Sequence, residues 1–421
     1  MSANKLLVIS MDALIQEDLE YLSQKPAFQK LMQTAATVKY MHSIYPTLTY
    51  PCHATMATGC LPAKHGVINN LHMIPGEVKP PWLWYHDTYQ VRDLFDAAKD
   101  AGLTTAAIGW PTTGKHPHVD YLVSEIAATS AKTTAEFRRD YLATGTTPAL
   151  WDAVCKQHIH LRTDARSVSR FNAATCCTII EKYAPDLTML HVGEPDHHRH
   201  LHGVFSPNIL PALDLCEEIL GNLLDAIERS GYRDSYNLVI TADHGQLDTL
   251  YIANPNVLLA QNGFLEMDSC GNIADWQAWC LQTGMCAEVF VKNPAQEAAV
   301  YALLQQHLST PGYQKIYTRE EAAKEGFSGP FAFVLETDGQ TQFDNHWQGA
   351  YITHHGHTKG CHGYHPDRGP HPTLLAIGPA FRSGAAVSHA HLTDGAPTWA
   401  AILGLSLPDA DGRILTELLQ A

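Results

Sequence analysis

Three short apolar runs constrain this chain more than any other feature, because each ends in side chains able to bind a metal. LLVISMD closes on Asp12, LTMLHVGEPD on Asp196, and YNLVITADHG on Asp243 and His244. TTAAIGWP (104–111) and PTLLAIGPAF (372–381) are runs of the same kind. Continuous apolar runs, rather than alternating ones, suit strands buried on both faces of a mostly parallel sheet. Helical stretches separate them, including VRDLFDAAKDAG (91–102) and ILPALDLCEEILGNLLDAIERSG (209–231). The second has apolar residues at helical spacing and stops at Gly231. The expected fold class is therefore α/β, with helices flanking the sheet. In open sheets of this class, ligands bind beyond the carboxyl ends of the strands. A single Asp there reads equally as a turn residue; three runs ending alike point to a site.

Residues 251–349 change character. AEVFVKN (287–293), a helix-like AQEAAVYALLQQHL (295–308) and FAFVLETDG (331–339) suggest a small α+β cap inserted into a core made of 1–250 and 350–421. The formal charge is −15, from 28 basic and 43 acidic residues. A nucleic-acid polymer is thus excluded as a bulk partner, since a backbone footprint needs clustered Lys and Arg. An anionic substrate would need another attractor, which a metal centre supplies. No run approaches the roughly 20 apolar residues of a membrane span. The start, MSANKLLVISMDAL, lacks the pattern of a signal peptide, and the ten cysteines form no CxxC pair. A cytoplasmic protein with reduced thiols, and no membrane partner, is the expectation.

Histidines number 25 and bunch in DHHRHLH (196–202) and HHGHTKGCHGYH (354–365). Asp196 and His200 stand four apart, on one face of a helical turn. Asp243 and His244 follow a strand and precede Gly245. Alone, the first pair reads also as a helix-start Asp with a nearby His, and the second as a turn. His362 sits between glycines, with His354, His355, His357 and His365 as rivals. Asp12, Asp196, His200, Asp243, His244 and one of these histidines make three ligands for each of two metals, leaving positions open for substrate. Thr47 and Thr49, in YPTLTYPCHATMATG, precede a short helix whose first turn suits Pro51. A threonine there is commonly an N-cap. Beside metal ligands it becomes a candidate nucleophile.

The ordered set MD, YPTLTYPCH, HGVINN, EPDHHRH, TADHG and GCHGY resembles the nucleotide pyrophosphatase/phosphodiesterase branch of the alkaline phosphatase superfamily. The likeness runs from Asp12 to about Phe381. It implies an alkaline-phosphatase-like core, two zinc ions per chain, and a two-zinc phosphodiesterase acting on a small phosphate ester through a phosphothreonine intermediate. The family motif Pro-Thr-x-Thr-aromatic-Pro-x-His puts the nucleophile at Thr49 rather than Thr47. The resemblance assigns Asp12, Asp243 and His244 to the zinc that activates Thr49, and Asp196, His200 and His362 to the other. It matches Asn70, rather than Asn69, to an asparagine that hydrogen-bonds a phosphoryl oxygen, and Tyr50 to an aromatic position that stacks on substrate. Arg199 stands where the family usually has glycine. His197, His198 and His202 have no family role and are expected on the surface.

Other readings remain at this stage. A phosphonoacetate-type phosphonate hydrolase shares such a site but needs cations for a carboxylate, with Lys64, Lys115 and Arg199 as candidates. A phosphomonoesterase, and a metal-binding scaffold without turnover, are the further alternatives. A sulfatase is disfavoured by Thr49, with Cys52 expected in packing. A dinucleotide dehydrogenase is disfavoured because the first turn reads SMDALIQ instead of GxGxxG. Trp82, with Trp84 and Tyr85, reads as core packing or as the wall of a substrate pocket beside Tyr50.

Overall fold

The computed structural model describes residues 4–126, 130–162, 168–354 and 358–420. An eight-stranded sheet forms its centre. Its strands are β1 (Lys5–Met11), β2 (Ala36–His42), β3 (Thr105–Ile108), β4 (Tyr121–Val123), β5 (Leu187–Val192), β6 (Tyr236–Thr241), β11 (Leu374–Ile377) and β12 (Ala386–His391). They lie in the order β12-β2-β11-β6-β1-β5-β3-β4. Every pairing is parallel except those of β11, which runs against both β2 and β6.

The three runs that end in carboxylates are thus β6, β1 and β5, neighbours at the middle of the sheet. Their alternation feeds two cores. Leu7, Ile9 and Met11 face the side covered by α3 (Val168–Tyr183) and α5 (Leu210–Arg229). Leu6 and Val8 face the side covered by α1 (Thr49–Thr58), α2 (Leu94–Asp100) and α7 (Gly395–Ile402). Both faces being covered is why the runs are continuously apolar. α5 buries Leu213, Cys216, Leu220, Leu223 and Ile227, the spacing of a single helical stripe. Each such Leu or Ile, moved from water to the core, contributes about 1.5–3 kcal/mol.

Between residues 278 and 337 a second, antiparallel sheet has the order β7-β8-β10-β9, formed by β7 (Ala278–Thr283), β8 (Cys286–Val291), β9 (Tyr313–Thr318) and β10 (Phe333–Thr337). It has its own core, and α6 (Glu297–Gln306) contributes Val300, Leu303 and Leu304 to it. The segment TLLAI is the last apolar run but not the last strand of the chain. β12 follows it, with His389 and His391 among its exposed residues. Its polar composition hides it, because an edge strand beside β2 need bury only one face. Among the described residues no helix is long and apolar enough to cross a membrane. All ten cysteines are free thiols.

The sheet brings every candidate residue to one edge. Asp12 follows β1 directly. Asp196 follows β5 after the turn Gly193–Pro195 and opens α4 (Asp196–His202). Asp243 and His244 follow β6, and the loop after β2 leads to Thr49. The His362 loop arrives there for a different reason. β11 runs backwards, so its start, Leu374, lies opposite Thr241 at the end of β6.

Candidate active site and metal centre

Asp12, Asp243 and His244 offer ligand atoms within 4.8 Å of one another, as do Asp196, His244 and His362. His244 lies between the two sets: its Nε2 is 3.6 Å from Asp12 Oδ1 and 3.1 Å from Asp243 Oδ2. Its ring stacks on that of His362, with centroids 3.9 Å apart. His200 stands slightly outside the tighter second set. Its Nε2 is 3.3 Å from Asp196 Oδ2, and its ring centroid is 5.1 Å from that of His362. All six residues therefore meet, with His244 in reach of both halves.

The hydrogen bonds decide what these side chains can do. In each histidine Nδ1 faces a backbone carbonyl: Gly245 for His244 (3.2 Å), Gly360 for His200 (2.7 Å) and Thr47 for His362 (3.1 Å). Nδ1 therefore carries the proton, and the Nε2 lone pair points into the site, the form a metal takes. The carboxylates are likewise half held. Asp243 Oδ1 accepts from the amides of Ala13 and His244 at 3.2 and 3.0 Å, while Oδ2 has no hydrogen-bond partner among the described residues. Asp12 Oδ2 is 3.1 Å from His191 Nε2, and Oδ1 has no such partner. Buried polar atoms are normally satisfied. Two bare carboxylate oxygens facing His244 Nε2, beside a second set in which Asp196 faces His200 and His362, fit divalent cations, and the mixed N/O donor set suits zinc.

Electrostatics agree. Burial pushes Asp12 well above the usual carboxylate range, and the charge of Asp196 adds to the effect. Burial, then the charge of Asp12, does the same to Asp243. Burial also opposes ionisation of Asp196, but His200 and His362 outweigh it and hold that carboxyl well below its ordinary value. Burial lowers His362 to about 4 and carries His244 well below the usual imidazole value, so both are neutral at pH 7. Burial opposes the charged form of His200 too, but Asp196 outweighs it and raises that imidazole. Neutral His244 and His362 with carboxylates awaiting a counter-charge are what a cation site needs.

A third group, His86, Asp93 and His116, also clusters within 4.8 Å. Its hydrogen bonds are of the opposite kind. His116 Nδ1 accepts from the amide of His118 at 3.1 Å, so Nε2 carries the proton and donates to Asp93 Oδ2 at 3.0 Å. Asp93 Oδ1 caps α2 through the Asp96 amide. Asp93 and His116 are thus satisfied by each other and by backbone, while His86 Nε2, 3.4 Å from Asp93 Oδ2, has no hydrogen-bond partner among the described residues.

Thr49 is the first residue of α1 and not its N-cap, a position held by Leu48. Its Oγ1 lies 3.2 Å from His244 Nε2. Thr47 is occupied elsewhere: Oγ1 donates to the Tyr364 carbonyl at 2.8 Å and accepts from Gly363 N–H at 3.0 Å. It ties the α1 loop to the loop of His362. Gly363 (φ +99°) permits this approach, since a Cβ there would lie 1.9 Å from the Thr283 carbonyl oxygen. Asn70 Oδ1 accepts from the Tyr50 amide at 2.8 Å, which aligns the amide group beside the start of α1. Asn69 points to the antiparallel sheet instead, with Nδ2 near Gln282 O, Thr283 Oγ1 and Glu288 Oε1.

Several expectations change. Tyr50 is wholly buried, its hydroxyl bonded to Glu125 and its ring 5.2 Å from that of the half-buried Trp82. It exposes no ring face for stacking, because Ala54, Val67 and the tryptophans enclose it. Arg199 is buried at the back of α4, donating to Asp18 Oδ2 at 2.5 Å and to the Val204 carbonyl. It balances a core carboxylate and has no role in the pocket. Lys64 pairs with Asp411 at 2.9 Å, and Lys115 lies 4.7 Å over the ring of Tyr85. His197 and His198 are not free surface residues: they flank buried Glu194, with His198 Nδ1 at 2.8 Å. Cys52 is buried against Ser43, in packing as expected. Of the rivals of His362, His354 is exposed beside Tyr251, and His365 lies near Glu325 and Asp367. His355 and His357 lie outside the described residues.

Two contributors escape sequence reading. His191 reaches Asp12 from within β5, and Gln246 Nε2 donates to Asp196 Oδ1. The only local signal is a polar side chain inside or just after a run of buried positions.

Comparison with known proteins matches this description. The family model for type I phosphodiesterase / nucleotide pyrophosphatase aligns with residues 6–365. A venom phosphodiesterase of Macrovipera lebetinus is 26% identical over 262 residues, covering 57% of this chain and 25% of that protein. Human ectonucleotide pyrophosphatase/phosphodiesterase family member 7 is 26% identical over 247 residues, covering 58% of this chain and 48% of its own length. The chain thus spans a quarter to a half of these relatives. The structure of murine ectonucleotide pyrophosphatase / phosphodiesterase 5, as an inactive variant in complex with AMP, superposes with a TM-score of 0.71 at 19% identity. The match covers 99% of this chain and 100% of that one, and shows a shared fold.

Proposed function

This chain belongs to the type I phosphodiesterase / nucleotide pyrophosphatase family, and from that premise we propose that it hydrolyses small phosphate diesters at a two-zinc site with Thr49 as nucleophile. In this reading Asp12, Asp243 and His244 hold one ion next to Thr49, and Asp196, His200 and His362 hold the other. The observation that carries it is His244, whose Nε2 lies 3.2 Å from Thr49 Oγ1 and within reach of the bare oxygens of Asp12 and Asp243, and whose ring stacks on that of His362 in the set with Asp196. When bound, zinc would supply the Lewis acidity that phosphoryl transfer needs.

The chain's own residues supply the rest. Thr49 Oγ1 forms the bond to phosphorus as the bond to the leaving alcohol breaks; the threonine proton leaves and the alkoxide is protonated. Water then cleaves the phosphothreonine, restoring the hydroxyl and releasing a phosphomonoester. At the start of α1 the Tyr50 amide is taken by Asn70 Oδ1, Pro51 has no N–H, and the Cys52 amide bonds the Leu48 carbonyl. Asn70, fixed by its bond to the Tyr50 amide, presents its NH2 group to a phosphoryl oxygen. Trp82 is assigned to the wall of the leaving-group pocket, with Tyr50 behind it as support. Residues 251–349 are assigned to a cap that shapes this pocket.

AMP bound to the murine relative supports a nucleotide as the substrate class. The phosphonoacetate alternative loses support, because Lys64 and Arg199 are engaged by Asp411 and Asp18. The test is turnover of bis-p-nitrophenyl phosphate by zinc-loaded protein, with and without chelator. Activity in Thr49→Ala equal to wild type, with both ions bound, would refute the nucleophile.

A further inference from the structure

Each carboxylate at the site has one oxygen restrained by a hydrogen bond, but the restraining groups differ. In Asp12 and Asp243 the other oxygen is bare, and in Asp196 Oδ2 faces His200 and the restrained Oδ1 faces His362 at 3.7 Å. Asp243 is held by two backbone amides. Asp12 and Asp196 are each held by a side chain outside the proposed ligand set: His191 for Asp12 and Gln246 for Asp196. His191 sits on β5 opposite Ser10, pointing to the α1 face, its ring 4.5 Å from that of His53. It places an N–H against Asp12 Oδ2, which leaves Oδ1 toward His244. Gln246 lies three residues beyond Asp243, and its Nε2 faces both the carbonyl and the carboxylate of Asp196. Two acceptors on one side fix the orientation of the amide.

We propose that His191 and Gln246 are positioning residues, each dedicated to one half of the metal centre: His191 aims Asp12 into the Thr49 half, and Gln246 aims Asp196 into the half formed with His200 and His362. The proposal rests on the two-zinc reading above. Its physical basis is that a carboxylate free to rotate must lose that freedom on binding an ion, whereas a restrained one has lost it in folding. Removing such outer partners typically weakens metal binding about 10–100-fold. Because the two side chains hold different carboxylates, each loss falls on one half-site.

The test is zinc binding itself. Metal-free wild type, His191→Phe, His191→Gln and Gln246→Met are titrated with zinc against a chromophoric chelator. Bound zinc is measured by mass spectrometry, and the fold is checked by circular dichroism. Wild type is expected to bind two ions. His191→Phe should weaken one of them about 10–100-fold and leave the other unchanged. His191→Gln, which retains an N–H donor, should recover much of the loss. Gln246→Met, similar in shape and without a donor, should weaken the other ion alone. Cobalt loading distinguishes the halves, since each substitution should alter a different component of the visible absorption. The proposal is overturned if folded variants bind both ions as tightly as wild type. It is also overturned if each substitution weakens both ions equally, which is the mark of a merely structural role. A wild type that binds no zinc would overturn the proposed function with it, and so is distinguishable from either result.

Discussion

Replacing Glu288 with glutamine probes the contact between the antiparallel sheet and the Asn69–Asn70 turn. Glu288 is wholly buried on β8, with Oε1 3.3 Å from Asn69 Nδ2 and Oε2 lacking a hydrogen-bond partner among the described residues. Burial pushes its carboxyl from 4.5 up to about 8, against a smaller opposing effect of the Asn69 hydrogen bond. In the unfolded chain the same group ionises near 4.5. Between those values the folded protein holds a proton that the unfolded chain has released, so stability falls as pH rises through this window. The slope is about 1.4 kcal/mol per pH unit for one proton, or roughly 2.7 kcal/mol between pH 5 and 7. Glu336, pushed up to about 7 chiefly by burial, adds a slope of its own in part of that range. It is present in both proteins and cancels from their difference. Glutamine keeps the acceptor for Asn69 and cannot ionise. Glu288→Gln should therefore match wild type near pH 5 and exceed it by roughly 2.7 kcal/mol at pH 7. Urea denaturation of the two proteins at half-unit intervals reads this difference directly. A difference that stays constant from pH 5 to 7 would refute the reasoning.

Three further outcomes are expected. Thr47→Val keeps its shape but loses the bonds to Tyr364 and Gly363, and should lower stability by about 1–3 kcal/mol in urea melts while retaining diesterase turnover. Thr49→Ala should do the reverse, unfolding like wild type and losing turnover of bis-p-nitrophenyl phosphate. Arg199→Met strands Asp18 in the core and should cost about 3–5 kcal/mol, partly recovered by adding Asp18→Asn, as read from thermal melts. Zinc at about 100 times its dissociation constant should stabilise metal-free protein by about 2.7 kcal/mol per site, and a chelator should reverse the rise in melting temperature.

Much of the site was readable because its ligands are local consequences of strand ends. Asp12, Asp196, Asp243 and His244 each terminate an apolar run, and a central parallel sheet must bring such ends together. Choosing His362 among five histidines needed the resemblance, and only the tertiary fold explains it. The backward β11 delivers its loop, and Thr47 pins the ring. Arg199 could not be placed from sequence because its partner, Asp18, is 181 residues away. Tyr50 is hidden from sequence reading for a related reason. An aromatic beside a nucleophile looks available until the segment around Trp82 folds over it. His191 and Gln246 were missed because neither lies in a spacing pattern; their meaning depends on which carboxylate oxygen they face.

The close seam at Gly284 and Gly363 has a consequence for protein engineering. A Cβ at Gly284 would meet the His362 carbonyl oxygen at 2.1 Å, and one at Gly363 would meet that of Thr283. Main chain rests on main chain there, with no side chain between to absorb a mismatch. The hairpin at 283–286 and the loop bearing His362 are therefore matched parts, like a key and its lock plate. A chimaera that imports residues 251–349 from a relative, to borrow its substrate preference, must import the 360–364 loop as well. Otherwise the first thing disturbed is the direction of the His362 imidazole at the proposed metal centre, before any change in what the pocket admits.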